Sequence, residues 1–146
     1  MIVARPTGLL GHLRSALADP DPEVRSTAAY GLGEIEDPAA VAPLIEVVDS
    51  DPDDTVVEHA LKALETYASP AIGEALVREA RRRRRRRAPL RMAALQLARY
   101  DSDPTVDVLA ALLEHPDVAV RDAALESLNR LRPLERERWE RLYLDA

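Results

Sequence analysis

The chain has 146 residues, 47% of them hydrophobic, and a net charge of −6, the length of one domain that buries roughly 70% of its unfolded surface. Phenylalanine and cysteine are absent and aromatics make up 3%, so the core must be built from Leu, Val and Ala, and neither a disulfide framework nor a thiolate metal site is available. Met1 to Leu13, interrupted by Arg5, Pro6 and His12, lacks the apolar run of a secretory signal, and no stretch reaches the length of a membrane span, so a soluble cytoplasmic protein with no membrane partner is expected.

In chain order, a short apolar helix from Thr7 to Ala18 follows Pro6 and leads into an acidic turn, Asp19-Pro20-Asp21-Pro22-Glu23-Val24. The spacing then predicts a longer helix with apolar positions at Val24, Ala28, Ala29, Leu32 and Ile35, which is helical rather than strand periodicity. The pattern returns with a first helix at Ala39 to Val48, a turn at Asp51-Pro52-Asp53-Asp54-Thr55-Val56 and a second helix opening at Val56. It returns again with Ala71 to about Arg82 before an opening at Pro89, and with Thr105 to Glu114 before an opening at Val120. Asp21, Asp53 and Asp117 each lie three residues before an opening valine and are placed to cap the helix, accepting from orphan N–H groups at the positive end of the dipole. The third turn has Arg86 at that position, and its helix is expected to start about two residues late. The last helix, Pro133 to about Leu144, directs Leu134, Trp139, Leu142 and Tyr143 to one side and is expected to cap the array, with Trp139 serving the cap rather than anchoring a partner.

The openings at Val24, Val56, Pro89 and Val120 are 32, 33 and 31 residues apart, each followed by Ala at the fourth position and Leu at the eighth. A period in this range signals stacked helical repeats. Four hairpins follow, at residues 6–36, 38–68, 70–101 and 103–132, with a cap helix at 133–144, all within a single domain spanning 1–146.

The run Asp-Pro-Asp-Pro-Glu-Val-Arg-Ser-Thr-Ala-Ala-Tyr-Gly-Leu-Gly at residues 19–33, followed by Asp37-Pro38-Ala39-Ala40-Val41-Ala42-Pro43-Leu44, resembles a HEAT repeat. It is closest to the short subtype first noted in phycobilisome lyases. The resemblance implies an all-α, right-handed α-solenoid with first helices on the convex side and second helices on the concave side. It also implies a polar ladder of turn aspartate and helix-start arginine, matched here by Asp19 with Arg25, whereas Asp51 faces Val57, the third repeat offers Leu90, and the fourth has His115 with Arg121. Repeats of this type serve scaffolds, adaptors, chaperone-like lyases and some enzymes, so they do not fix an activity.

If the second helices line a concave surface, their non-core positions face a partner. These positions hold Tyr30, Glu34, His59, Lys62, Met92, Leu95, Arg99, Glu126 and Arg130, and exposed aromatic, Met and Arg side chains are the composition of protein interfaces. Met92 and Leu95 could instead fill gaps between helices. Between Arg78 and Arg91 lie nine arginines and one acid, a local charge of +8, so the rest of the chain carries −14. The run Arg81, Arg82, Arg83, Arg84, Arg85, Arg86 and Arg87 offers an anion-binding segment, with three readings: a charge match with Asp51, Asp53 and Asp54 of the preceding turn, an acidic protein partner, or nucleic-acid phosphates. Consecutive arginines on a helix point in all directions, and no interleaved aromatics provide base stacking.

His12, His59 and His115 are scattered over an outer helix, an inner helix and a turn, so no metal site is expected. Glu58-His59 and Glu114-His115 reverse the His-Glu order of a HEAT-like iron hydroxylase. No phosphate loop or Ser-His-Asp arrangement is present. The sequence therefore points to a non-enzymatic scaffold without cofactor whose partner is another protein, with nucleic-acid binding through the arginine turn as the alternative and a bilin-lyase-like chaperone as the third.

Overall fold

A computed structural model describes residues 8–82 and 87–145, with the side chain of Arg87 excepted. Pro6, Thr7 and Arg83 to Arg86 lie outside the described residues. The described residues form nine α-helices with no strand, and their contacts group into two compact units, Met1–Ala68 and Ser69–Ala146. The division falls between the second and third hairpins read from the sequence.

The first unit holds α1 (Leu9–Ala16), α2 (Pro22–Glu34), α3 (Val41–Ser50) and α4 (Asp54–Leu64). Its caps are local and made as the sequence requires. Asp21 accepts from the Glu23 N–H at 2.9 Å, and Asp53 from the N–H groups of Thr55 and Val56 at 2.8 and 3.2 Å. Pro22 occupies the first position of α2, where a missing N–H costs nothing. Pro43 sits in the first turn of α3 for the same reason, led in by a 3-10 turn at Pro38–Ala40 whose Asp37 accepts from the Ala39 N–H. The helix α1 begins at Leu9 behind Gly8, whose φ of 108° is a left-handed conformation that glycine tolerates.

Packing in this unit runs chiefly between the second helices, with α2 lying along α4, α1 on α2 and α3 on α4. Leu32, Leu44, Leu61 and Leu64 are fully buried, each contributing about 2 kcal/mol of transfer free energy. Close approach of α2 to α4 depends on Gly33, where an added Cβ would meet the Ala63 Cβ at 2.9 Å and its Cα at 3.0 Å. The Tyr67 hydroxyl donates across to the Leu32 carbonyl.

The second unit holds α5 (Pro70–Arg81), α6 (Arg87–Gln96), α7 (Asp103–Leu112), α8 (Val118–Leu131) and α9 (Arg136–Leu144). Here α6 lies along α8, α5 packs on α6 and α7, α7 on α8, and α9 on α8. Leu76, Leu90, Leu97, Leu109, Leu113 and Leu128 are fully buried, and the Ser127 hydroxyl donates to the Ala94 carbonyl at 2.6 Å between α8 and α6. Ser102 caps α7 through the Thr105 N–H, and Asp117 caps α8 through the Ala119 N–H at 2.8 Å.

Three expectations are corrected. First, α6 does not start late: it begins two residues before Pro89, the same offset at which α2, α4 and α8 precede their opening valines. Pro89 falls on the third helical position, among the first four N–H groups that have no intrahelical partner in any case. Second, Leu134 is fully exposed, because it lies in the 3-10 turn Pro133–Glu135 that precedes α9. Trp139, by contrast, is fully buried, and the Tyr143 ring lies 5.7 Å from the Arg121 guanidinium while its hydroxyl donates to Asp122, so α9 covers α8 as a cap. Third, Arg25 does not bond the Asp19 carboxylate. Its Nη1 donates to the carbonyls of Asp19 and Pro20, and its Nε and Nη2 reach the Asp51 carboxylate at 2.9 and 3.3 Å. The rung thus runs from one repeat to the turn of the next, and Asp51, which offers no local arginine, is its acceptor.

Candidate functional site

The second helices of the first unit leave an open groove of about 280 Å³ between α2 and the end of α4, and Tyr30, Glu34, His59 and Lys62 all line it. Tyr30 is on α2 and 59% exposed, a large apolar ring held in water by its own helix. Lys62 and Glu34 are exposed and His59 is half-buried. The His59 Nδ1 lies 2.8 Å from the Thr55 carbonyl, so the tautomer with its proton on Nδ1 fits and Nε2 is left as an acceptor. Gly33 and Ala63 bring the two helices together beneath these side chains, and Thr66 and Glu65 complete the wall. The groove therefore presents one aromatic face, one cation, carboxylates and a ring nitrogen within a single concavity.

The HEAT-repeat family model matches residues 9–91, more than half of the chain. The chain belongs to the HEAT-repeat family. No curated protein matches it. The matched span runs from α1 into α6, and the geometry carries the HEAT pattern beyond it. In the fourth hairpin Arg121 Nη1 donates to the carbonyls of His115 and Pro116 at 2.9 and 3.1 Å, as Arg25 does to Asp19 and Pro20. His115 even replaces the turn aspartate in kind: its Nδ1 accepts the Asp117 N–H at 3.0 Å, where Asp19 and Asp51 accept from Asp21 and Asp53 through a carboxylate.

In the second unit of this HEAT protein the candidate residues divide. Arg99, Glu126 and Arg130 are exposed, the last two paired at 3.4 Å on successive turns of α8. Met92 and Leu95 are half-buried rather than exposed, because the face of α6 that carries them is partly covered where α6 packs along α8. They belong in part to the helix packing and in part to the surface.

Of the arginine run, Arg81 is exposed at the end of α5, and Arg82 is half-buried with Nη1 at 3.3 Å from Glu79 Oε2. Glu79 is fully buried at the position that aligns with Val47, a burial the sequence pattern does not signal. Arg83, Arg84, Arg85 and Arg86 lie outside the described residues, as does the side chain of Arg87. Asp51 accepts from Arg25 and Asp53 caps α4, while the arginines expected to face Asp51, Asp53 and Asp54 lie for the most part outside the described residues.

The histidines serve local structure, His12 with Nδ1 at 2.7 Å from the Gly8 carbonyl and the other two as described. Among the described residues no three His, Asp or Glu side chains are grouped to hold a metal ion, and no helix is long and apolar enough to cross a membrane.

Proposed function

We propose that this HEAT-repeat chain is a non-enzymatic, cytoplasmic scaffold or adaptor that grips a partner protein through the non-core faces of its second helices. Tyr30 and Lys62 in the α2–α4 groove make the principal contact in the first unit, and Arg99 contributes in the second. HEAT repeats in general mediate protein interactions. The observation that carries the reading to particular residues is the groove itself, which gathers Tyr30, Glu34, His59 and Lys62 around one concavity. A tyrosine 59% exposed beside charged groups is the composition that concentrates binding energy when a partner excludes water from it. Replacing Tyr30, Lys62 and Arg99 together by alanine is expected to remove the specific partner from an affinity purification read by mass spectrometry, with the far-ultraviolet circular dichroism unchanged. Retention of every co-purifying partner by the folded triple variant would sink the proposal.

A further inference from the structure

The groove between α2 and α4 lies over two helix ends. Its lining takes Tyr30, Gly33 and Glu34 from the C-terminal end of α2 and Lys62, Ala63 and Glu65 from that of α4, with Gly33 set against Ala63. Each helix C-terminus carries about half a negative charge, which a cation in the last turn offsets. Helix α4 has such a cation, Lys62, whereas the last turn of α2 has none and α2 ends instead on Glu34. Two residues on, Glu36 holds a φ of 52°, the left-handed position that glycine usually fills after a helix. Among the described residues no hydrogen bond or ion pair engages the side chains of Glu34, Glu36 or Lys62. The end of α2 thus carries a carboxylate where the dipole disfavours one, and no described side chain is paired with it.

The rest of the unit enlarges the imbalance. Met1–Ala68 has thirteen acidic and four basic residues, a net charge of −9, so an incoming cation is drawn to this unit and an anion is turned away. Tyr30 adds a face for that cation. Its ring is 59% exposed and stands four residues before Glu34, the spacing that brings two side chains to one helix face at about 5 to 6 Å between Cβ atoms. A planar guanidinium stacks on an aromatic face and bonds a carboxylate through parallel N–H groups, which an ammonium cannot do. By contrast, a larger concavity in the second unit, of about 460 Å³ beside Arg81, carries both Arg81 and Glu114 on its rim and selects neither charge.

We propose that the α2–α4 groove takes a basic segment of the partner protein, with one arginine laid on the Tyr30 ring and its guanidinium directed to Glu34. Lys62, on the α4 side of the groove, is left for a backbone carbonyl of the same segment. The basic chemistry of the segment rests on the groove being a partner-binding surface, as proposed above.

The test is a nitrogen-15 heteronuclear NMR titration of the full chain with three capped octapeptides of glycine and serine, carrying three arginines, three citrullines or three glutamates. Citrulline keeps the shape of arginine without its charge. The arginine peptide is expected to shift the amide signals of residues 30–34 and 62–66, and the citrulline peptide to bind at least about tenfold more weakly. Tyr30→Ala and Glu34→Gln are each expected to weaken the arginine peptide about threefold, while Tyr30→Phe, which keeps the ring, binds as the parent does. Glu46→Gln on α3 removes the same charge at an exposed position outside the groove. It is expected to change the affinity by less than about 1.5-fold, and all four variants should keep native spectra. The proposal is overturned if the arginine peptide shifts other signals or none, if the citrulline peptide binds as tightly, if Glu46→Gln weakens binding as much as Glu34→Gln, or if the glutamate peptide is the one that occupies the groove. A triple variant of Tyr30, Lys62 and Arg99 that loses its partner, beside a parent groove that ignores the arginine peptide, leaves the binding surface standing and refutes the basic segment. Retention of the partner by that variant removes the surface itself.

Discussion

The rung between Arg25 and Asp51 makes a demanding prediction, because both side chains are nearly out of solvent, at 13% and 6% exposure. Removing one member of a buried ion pair costs about 3 to 5 kcal/mol, since the other is left charged without its partner. In Asp51→Ala the guanidinium keeps the Asp19 and Pro20 carbonyls, which lowers the expected loss toward the bottom of that range. The same substitution also strips the Asp53 N–H of its acceptor at 2.9 Å, adding about 1 kcal/mol. A total of about 4 kcal/mol is expected for Asp51→Ala and about 3 kcal/mol for Arg25→Ala. Asp51→Asn, which retains an oxygen for Asp53, is expected to fall below the alanine variant. Because the two residues share one interaction, the double variant should be less damaging than the sum, with a coupling of about 2 kcal/mol. Urea unfolding followed by far-ultraviolet circular dichroism gives each value from the shift in midpoint, with the slope held common if the unfolded state is unchanged. Repeating the series at about 1 M salt, where the Debye length is about 3 Å, should lower the coupling only slightly, since a buried pair is poorly screened. A coupling under about 0.5 kcal/mol, or one that vanishes in salt, would place the pair among exposed ion pairs and refute the reasoning.

Leu64 is fully buried in α4, so Leu64→Ala should lower stability by about 2 to 5 kcal/mol in the same urea assay, and an effect near zero would contradict the helix register. Gly33→Ala and Gly11→Ala should differ in sign. The first places a Cβ 2.9 Å from the Ala63 Cβ and 3.0 Å from its backbone Cα and is expected to destabilise by about 1 kcal/mol. The second meets nothing within 4 Å and should stabilise by about 0.5 to 1 kcal/mol. Tyr143 has its pKa raised above the ordinary tyrosine value of 10.0, first by its hydrogen bond to Asp122, then by burial and the Asp122 charge, with Arg121 opposing. Folding thus favours the neutral phenol. The contribution is present below about pH 10 and lost as pH rises through the raised value. The difference between the 295 nm titrations of the parent and Tyr143→Phe should show a midpoint above about 10 that Asp122→Asn lowers, and a midpoint at or below 10 would refute the assignment.

What the sequence made legible is what depends on neighbours within a turn or two of helix. Asp21, Asp53 and Asp117 cap because a carboxylate at that position reaches N–H groups two or three residues ahead. Leu32, Leu64, Leu97 and Leu128 are buried because the helical period returns them to one face. Contacts that cross between repeats were not legible from the same pattern. Arg25 is near Asp19 in sequence, yet its side chain is long enough to pass the turn and find Asp51, 26 residues on. Glu79 occupies a position where its counterpart is Val47 and is buried all the same, with Arg82 beside it. Met92 and Leu95 turn half inward because the approach of α6 to α8, a property of two helices, decides how much of each is covered.

The candidate sites inherit the same division. Tyr30 and Lys62 occupy the same offset in successive repeats, so a stack of parallel second helices brings them to one groove, and this much follows from the period. The pocket beside Arg81 has no such signature. It combines the end of a first helix with the next hairpin's first helix and a turn in which His115 has replaced an aspartate. That replacement has a chemical consequence. A turn aspartate would add negative charge to the rim, whereas a neutral imidazole makes the same bond to the Asp117 N–H and leaves an N–H to donate. The one turn that exchanges a carboxylate for a ring is thus the one whose pocket stands next to Arg81, and there the repeat keeps its backbone geometry while removing a charge from its turn.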